Sequence, residues 1–285
     1  MSRVITFKGA PLTVIGRKIE EGQPAPSFNV TTQDLKEASL SDFSGKIKII
    51  SSFPSLDTPV CDLQVKEFNR RAAGLSSDTV IIGISKDLPF AQKRFCSVNE
   101  IKNEIVLSDY KTSSFGINYG LLIPELNLLA RSVLIIDKND TVRYFDIVPE
   151  LTSPPDYEKA MLRLKDTVGK PAPAAKQEVN HCTPCETGGP SLPKETVDKL
   201  IAKHRGWQLV EDKKIVKEFV CKDFLQAKYF LDIISVVAQE QGHHPTLTII
   251  YNKLKVTLTT HAVGGLSDND FIMARIIDDI GGSLL

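Results

Sequence analysis

Hydrophobic and polar positions in the first 168 residues alternate between short apolar runs and longer helical stretches. The runs at 46–53 and 79–85 are typical of buried strands, because both are short and the second is rich in β-branched residues. The pattern predicts further strands at 104–107, 132–137 and 141–145, a short N-terminal hairpin, and helices at 61–73, 89–98 and 157–168. Strands that alternate with helices predict an α/β domain around a mixed sheet.

This pattern stops at Gly169, and a different one begins near Pro193. The segment from 169 to 193 holds five prolines and a Gly-Gly pair but few apolar residues, which is typical of an interdomain linker. A chain of 285 residues is long enough for two domains. We therefore expect domains at 1–168 and 193–285, joined by a linker at 169–192.

The C-terminal segment predicts an α+β domain with the order α-β-β-α-β-β-α. Its strands are expected at 206–210, 215–220, 246–251 and 254–260, and its first helix at 193–204. Asp223 and Ser267 are expected to cap the other two helices, with Gln226 and Asp270 as their capping-box partners three residues later. Gly281 is expected to end the last helix.

Charge and composition narrow the function classes. Lys plus Arg and Asp plus Glu both number 35, so neither a nucleic acid nor an anionic membrane is an expected partner. No stretch approaches about 18 apolar residues and the first residues lack a secretory pattern, so we expect no transmembrane helix and a cytoplasmic protein. In that compartment the five cysteines are expected to be catalytic, redox-active or inert thiols.

The chemistry of the first domain is expected at Cys61, which follows a predicted strand and begins a predicted helix. Unpaired N–H groups and the helix dipole favour a thiolate there, and the thiolate is the reactive form. Thr58 stands one helical turn earlier, and Arg131 opens a later strand as a permanent positive charge. A lone cysteine after a strand is more often a small buried hydrophobe, but the spacing PxxxTxxC favours a reactive thiol.

A thioredoxin-type disulfide oxidoreductase is the competing class for this site. Such an enzyme requires two cysteines as CxxC at the helix start, and here Thr58 occupies the first of those positions. The site can therefore hold a thiolate but cannot close a local disulfide. This difference favours a peroxide as the substrate.

The segments SSFPSLDTPVCDLQVKEFN, KRFC and ARSVLIID closely resemble the thiol peroxidase branch of atypical two-cysteine peroxiredoxins over about residues 1–168. The resemblance implies a thioredoxin-like fold, reduction of hydrogen peroxide or alkyl hydroperoxides, and thioredoxin as the reductant. Cys61 would be the peroxidatic cysteine, which becomes a sulfenic acid, and Cys96 the resolving cysteine of an intramolecular disulfide. Thr58 and Arg131 would orient the peroxide, and Pro54 would shield the sulfur. Because a disulfide needs Cα atoms within about 7 Å, we expect closure to require local unwinding.

Three of the five histidines, His243, His244 and His261, fall within nineteen residues. The first two lie at a helix-to-strand junction and the third ends the second strand of the predicted hairpin, so strand pairing would bring them to one side of the sheet. Neutral imidazoles suit proton transfer near neutral pH. Two alternatives stay open, namely zinc binding, which adjacent histidines suit less well, and histidines with purely structural roles.

The segment EQGHHPTLTIIYNKLKVTLTTHAVGGLSDNDF resembles pterin-4a-carbinolamine dehydratases, and the resemblance runs from about Leu192 to the C-terminus. It implies loss of water from a 4a-hydroxytetrahydropterin, without a metal or another cofactor. His243, His244 and His261 would bind the pterin and move protons. Asp270 would either orient His261 or serve only as a helix cap.

Three positions depart from the dehydratase pattern. Gln239 and Ala262 stand where acidic residues are found in other members, and Leu247 stands where Trp is frequent. These departures concern turnover and substrate fit more than the fold. Because some members act as dimerisation cofactors of transcription factors, a binding role is the main non-enzymatic alternative for this domain. Both resemblances imply a homo-oligomer.

A second cysteine pair, Cys182 and Cys185, forms a CxxC inside the predicted linker. Three interpretations stay open. The pair is inert or locally oxidised, or it forms half of a zinc site that His181 or Cys221 completes. In the third, it is a tethered dithiol that reduces the disulfide of the first domain at a high local concentration.

Overall fold

The structure, a computed structural model, describes residues 3–169, 182–183 and 190–285. The chain divides into two compact units, residues 2–178 and residues 179–285. His181 and Cys185 lie outside the described residues, so the three interpretations of the CxxC stay predictions. Within the described ranges, no helix is long and apolar enough to cross a membrane.

The N-terminal unit alternates strands with helices, as the pattern predicts. Its strands are β1 (Arg3–Phe7), β2 (Ala10–Val14), β3 (Asn29–Thr31), β4 (Glu37–Ser39), β5 (Ile47–Ser52), β6 (Thr79–Ser85), β7 (Glu104–Ser108), β8 (Leu122–Ile123), β9 (Leu128–Leu129), β10 (Ser132–Ile136) and β11 (Val142–Ile147). Its helices are α1 (Pro59–Ala72), α2 (Pro89–Val98), α3 (Ser114–Asn118) and α4 (Tyr157–Gly169).

One mixed sheet organises this unit, with the strand order β11-β10-β5-β6-β7-β3-β4. The central strands β5, β6 and β7 are parallel, whereas β10, β11, β3 and β4 join them in antiparallel pairings. β1 and β2 pair as the expected N-terminal hairpin. The predicted α/β fold with a mixed sheet is confirmed.

β5 lies in the middle of the sheet, and all of its residues are buried. Ile50 and Ile82 belong to one core cluster, while their chain neighbours Ile49 and Ile81 belong to another, to which α1 and α4 contribute. Successive side chains of a strand point to opposite faces, so apolar layers cover both faces of this sheet. This burial explains why apolar residues of the strand point to both faces instead of alternating with exposed polar ones.

The hydrophobic pattern does not predict β3 and β4, which form one edge of the sheet. Each has three residues, which is too short for a period of two to become visible. Thr31 pairs with Ser108 and so connects β3 to β7. This edge carries the turn at residues 32–36, which contacts α2.

The C-terminal unit has the predicted order α-β-β-α-β-β-α. It contains α5 (Lys194–Ile201), β12 (Gln208–Val210), β13 (Lys214–Val220), α6 (Phe224–Gln241), β14 (Thr246–Ile250), β15 (Lys253–Leu258) and α7 (Asp268–Leu284). The strands form an antiparallel sheet in the order β12-β13-β15-β14. β14 and β15 pair as the expected hairpin, with Thr246 opposite Thr257.

The ends of the helices in this unit differ in part from expectation. The Asp223 carboxylate accepts the Gln226 N–H at 2.8 Å, whereas the Gln226 side chain accepts the Lys222 N–H instead of completing a capping box. Ser267 and Asp270 form the predicted box.

The prediction that Gly281 ends α7 is wrong, because the helix continues to Leu284. A Cβ at Gly281 would lie 3.1 Å from the Phe219 ring and 3.2 Å from the Phe230 ring. The glycine therefore permits close packing of the helix on these two rings.

Candidate active sites

Cys61 is positioned by the junction between β5 and α1. Thr58 is the extended N-cap residue of α1, and Pro59 follows at the first helical position, where its missing N–H costs nothing. Cys61 is thus in the first turn of the helix, and its side chain is fully buried. The cysteine faces the end of the helix where backbone N–H groups favour negative charge.

Among the described residues, two polar side chains lie within hydrogen-bonding distance of the Cys61 sulfur. The Thr58 hydroxyl lies 2.8 Å from it, and Nη2 of Arg131 lies 3.4 Å from it. The Thr58 hydroxyl also lies 3.0 Å from the carbonyl oxygen of Ser55. Since a hydroxyl has one proton, it can donate to the sulfur or to this carbonyl, but not fully to both. Thr58 is exposed and Pro54 is buried, so Thr58 marks the side from which solvent approaches the sulfur.

Arg131 is 1% exposed and is held by a shell of neutral groups. Its guanidinium donates to the Leu151 carbonyl oxygen at 2.9 Å and to Oε1 of Gln64. Within the described part of the chain it makes no ion pair with a carboxylate. A buried cation requires a counter-charge, and the sulfur of Cys61 is the contacting group that can carry one.

Gln64 is a site residue that the sequence reasoning missed. It lies one helical turn after Cys61 and is completely buried. Its amide donates to the Ser51 hydroxyl at 2.6 Å and to the Ser52 carbonyl oxygen at 3.2 Å, while its oxygen accepts from Arg131. A polar residue on the buried face of α1 is the signal that could have identified it.

Asp87 anchors the loop that precedes α1. Its carboxylate accepts the Ser55 hydroxyl at 2.7 Å and the Leu56 N–H at 2.8 Å, and also the Ser85 hydroxyl at 2.7 Å. Ser55 in turn offers its carbonyl oxygen to Thr58. Asp87 therefore connects the end of β6 with the loop that positions Thr58 beside the sulfur.

Cys96 lies on α2 and is 8% exposed. It belongs to the same apolar cluster as Cys61, together with Phe53, Leu56, Val65 and Val106. Both cysteines are thiols in this structure. Burial raises the pKa of the Cys96 thiol, and a hydrogen bond from Gln33 opposes that effect. The unwinding that we expect for disulfide closure stays a prediction.

In the C-terminal unit, His243 follows Gly242, which ends α6 in the left-handed conformation that favours glycine. The His243 ring is buried, and its Nε2 lies 2.8 Å from Oδ1 of Asp270. The other oxygen of Asp270 accepts the Thr260 hydroxyl at 2.7 Å and the Ser267 N–H at 2.8 Å. Asp270 thus joins the start of α7 to the end of β15.

These contacts correct the expectation that Asp270 orients His261. The carboxylate bonds His243 instead, because the first turn of α7 faces the end of α6, and Thr260 occupies its remaining side. Asp270 also caps α7, as in the alternative that we considered. It therefore both caps this helix and contacts His243.

His244 and His261 are exposed, in contrast to His243. Nε2 of His244 lies 3.2 Å from Oε1 of Gln239, and His261 begins a short 3-10 turn directly after Thr260. Among the described residues, no cluster of three or more His, Cys, Asp or Glu side chains has the arrangement of a metal site. The zinc alternative for the three histidines therefore gains no support.

Cys182 and Thr183, which we assigned to the linker, contact the C-terminal unit. The Cys182 N–H donates to Gln241 at 2.9 Å, and its thiol is buried. Asn269 accepts the Thr183 N–H at 2.9 Å and donates to its carbonyl oxygen at 2.8 Å. Cys182 and Thr183 are therefore held by Gln241 and Asn269, which lie close in the chain to His243 and Asp270.

The mixed sheet and the buried cysteine beside an arginine define the N-terminal unit as a thioredoxin-fold enzyme of the redoxin class, and the Redoxin family model matches residues 20–161. Within that class, the chain belongs to the thiol peroxidase family. It is 49% identical to the thiol peroxidase of Staphylococcus saprophyticus over 157 residues, which are 55% of this chain and 94% of the relative. It is 48% identical to the thiol peroxidase of Bacillus subtilis over 164 residues, 58% and 98% of the two chains.

Solved structures support the same fold. A crystal structure of a peroxiredoxin-like protein from Aquifex aeolicus is 39% identical, with a TM-score of 0.55, and covers 59% of this chain and 98% of its own.

The C-terminal unit is matched at residues 190–280 by the family model of pterin 4 alpha carbinolamine dehydratase. The chain thus carries a thiol peroxidase domain followed by a dehydratase-like domain.

Proposed function

We propose that the N-terminal domain reduces hydrogen peroxide and alkyl hydroperoxides through Cys61. The thiolate attacks one peroxide oxygen, the O–O bond breaks, and water or an alcohol leaves with a proton. Cys61 becomes a sulfenic acid. Cys96 then attacks this sulfur, water leaves, and a Cys61–Cys96 disulfide forms. Thioredoxin returns both thiols by thiol–disulfide exchange.

The observation that carries this proposal is the environment of Arg131. The Arg131 guanidinium is fully buried and lies 3.4 Å from the Cys61 sulfur, and its other hydrogen-bond partners among the described residues are neutral oxygens. The charge stabilises an ionised sulfur before the reaction and the negative oxygen that develops when the O–O bond breaks. In this proposal Thr58, which is exposed and lies 2.8 Å from the sulfur, orients the incoming peroxide, and the buried Pro54 shields the sulfur.

The test is steady-state peroxide consumption with a thioredoxin system. Wild type should turn over, Cys61→Ser should show only the uncatalysed background, and Cys96→Ser should complete one oxidation without returning to the thiol. Turnover by Cys61→Ser at the wild-type rate would exclude the proposal. Turnover by wild type with a different reductant alone would remove thioredoxin from it.

For the C-terminal domain we propose dehydration of a 4a-hydroxytetrahydropterin. The supporting observation is the buried pair of His243 and Asp270, which fixes the start of β14, where His244 follows in an exposed position. His261 lies next to Thr260, which bonds the same carboxylate. The two exposed imidazoles are suited to protonate the leaving 4a-hydroxyl and to remove the proton from N5. We also propose that the protein is a homo-oligomer.

Dehydration of the carbinolamine should be followed in the full chain and in His244→Ala and His261→Ala. Acceleration by wild type that falls in both variants supports catalysis. Equal rates in wild type, both variants and buffer would favour the alternative, in which this domain is a non-catalytic dimerisation or binding module. Sedimentation of the same samples measures the oligomeric state.

A further inference from the structure

The turn between β3 and β4 is held against α2. It closes through hydrogen bonds from the Thr32 N–H to the Lys36 carbonyl oxygen at 2.8 Å and from the Leu35 N–H to the Thr32 carbonyl oxygen at 3.0 Å. Asp34, at its tip, pairs with Lys93 of α2 at 2.8 Å. Lys93 lies one helical turn before Cys96, so the turn is placed over the face of α2 that carries the second cysteine.

Gln33 extends from this turn to the Cys96 sulfur. Its Nε2 lies 3.2 Å from Sγ of Cys96 and 3.5 Å from the carbonyl oxygen of Val106. Among the described residues, it is the side-chain group that donates to this sulfur. Cys96 and Cys61 belong to the same apolar cluster. The Gln33 amide is therefore a specific donor in otherwise apolar surroundings.

Among the influences on the Cys96 pKa, the hydrogen bond from Gln33 is the one that favours the thiolate. Burial raises the pKa of the Cys96 thiol, the hydrogen bond from Gln33 lowers it, and the charge of Glu104 on β7 raises it. Burial also raises the pKa of Glu104 well above its usual range, so this carboxyl gives up its proton less readily than an exposed glutamate does. Asp34 and Lys93 are charged as well, but they are exposed and paired with each other.

We propose that Gln33 is a catalytic residue of the resolving step, in which its amide N–H stabilises the Cys96 thiolate that attacks Cys61. This inference rests on the peroxidase chemistry proposed above. Cys96 gives up its proton, its sulfur forms the S–S bond, the S–O bond of the Cys61 sulfenic acid breaks, and hydroxide leaves with a proton as water. One thiol and one sulfenic acid thereby give one disulfide and one water.

A purely structural role of Gln33 predicts the opposite effect of its removal on the rate of disulfide formation. If Gln33 and the Asp34–Lys93 pair served only to hold α2 in place, removing them would loosen the helix and accelerate disulfide formation. If Gln33 stabilises the thiolate, removing its donor slows disulfide formation although the helix is looser. The sign of the change therefore separates the two roles.

The experiment compares Gln33→Leu, Gln33→Glu and Gln33→Lys with wild type by rapid quench and mass spectrometry after one equivalent of hydrogen peroxide. Oxidation of Cys61 should be unchanged in all four proteins. Disulfide formation should slow about tenfold in Gln33→Leu, since a hydrogen bond to a charged group is lost, and slow further in Gln33→Glu. Gln33→Lys, which restores a donor, should recover the wild-type rate.

Two further readouts complete the test. In a parallel reaction with excess hydrogen peroxide, slow resolution leaves the sulfenic acid exposed to a second peroxide molecule, so sulfinic acid at Cys61 should accumulate more in Gln33→Leu. The midpoint of the pH profile of resolution should move upward in this variant. Asp34→Asn, the matched control that breaks only the exposed ion pair, should match wild type in both.

The outcomes are distinct for the two proposals. A wild-type protein that forms no Cys61–Cys96 disulfide would remove the proposed peroxidase mechanism itself. A wild type that forms the disulfide, with Gln33→Leu equal to it or faster, would overturn the role of Gln33 alone.

Discussion

The two sites use burial in opposite ways. At the first, a sulfur and a guanidinium are both withdrawn from solvent, and neutral groups satisfy the rest of the guanidinium. At the second, a buried His243–Asp270 pair stands behind two exposed histidines. The proposed substrates fit this difference, because a peroxide is small enough for a buried site and a bicyclic pterin is not. Substitutions at the first site should therefore affect chemistry and packing together, and those at the exposed histidines chemistry alone.

The largest effect is expected for Arg131→Met, which removes the charge and keeps much of the volume. The second-order rate constant for peroxide should fall about 100- to 1000-fold, because the developing oxyanion loses its stabilising charge. Stopped-flow oxidation of the reduced protein measures it. Pterin dehydration by the same preparation should stay at the wild-type rate, and a loss of both activities would show global damage instead.

The next effect concerns the exposed histidines. His244→Ala should lower the rate of pterin dehydration about 100-fold, since it removes a general acid or base. Its thermal unfolding should match wild type when followed by the fluorescence of Trp207, the single tryptophan of the chain, which lies in this unit.

His243→Ala is the matched comparison for that variant. It leaves the buried Asp270 without its imidazole partner, so this unit should lose about 2 kcal/mol of stability. Equal stability of the two variants would contradict the division between a buried supporting pair and exposed reacting groups.

A smaller effect is expected for Thr58→Val, which preserves shape and removes the hydroxyl that lies 2.8 Å from the sulfur. Peroxide reduction should slow about tenfold, the value of one hydrogen bond to a charged group. Thr58→Ser keeps the hydroxyl and should restore most of the rate. If valine reacts as fast as threonine, the hydroxyl serves only its second contact, the Ser55 carbonyl oxygen.

The smallest effect is on stability and comes from Glu104, whose two buried oxygens have no hydrogen-bond partner among the described residues. Burial raises its pKa in the folded state, so the folded protein keeps a proton that the unfolded chain has lost. The wild type should therefore lose stability as the pH rises above about 4.5, until the folded pKa is reached.

Glu104→Gln removes this dependence because it has no charge to lose. Its unfolding midpoint in the N-terminal unit should exceed that of wild type by about 2–4 °C at pH 8 for each kcal/mol gained. The difference should shrink toward pH 4. A difference that is constant with pH would show that ionisation of Glu104 has no part in it.

The sequence was most informative for residues next to long helices and strands with a clear hydrophobic period. Cys61, Thr58 and Arg131 lie at the ends of a long helix and of buried strands, so their places follow from hydrophobic periodicity, and the structure brings their side chains together. The paired strands before His261 follow from alternation in the same way.

Other contacts have no such signal. Gln33 reaches Cys96 from a turn between two three-residue strands, and nothing in a short polar stretch shows which helix it will contact. Asp270 satisfies the local rule for a helix cap. Its Oδ1 nevertheless lies within hydrogen-bonding distance of His243, which is 27 positions earlier in the chain. Gly281 has the local features of a helix end, but packing against two rings overrides them. Tertiary contacts of this kind are not encoded in a local pattern.

The most direct test of the account is to map every cysteine after the reduced protein has met one equivalent of hydrogen peroxide. We expect a disulfide between Cys61 and Cys96, with Cys221 still a thiol, because only Cys61 has a guanidinium beside its sulfur among the cysteines described. Oxidation that begins at Cys221 or Cys182 while Cys61 stays reduced would contradict the central claim that the buried charge of Arg131 selects the reacting sulfur.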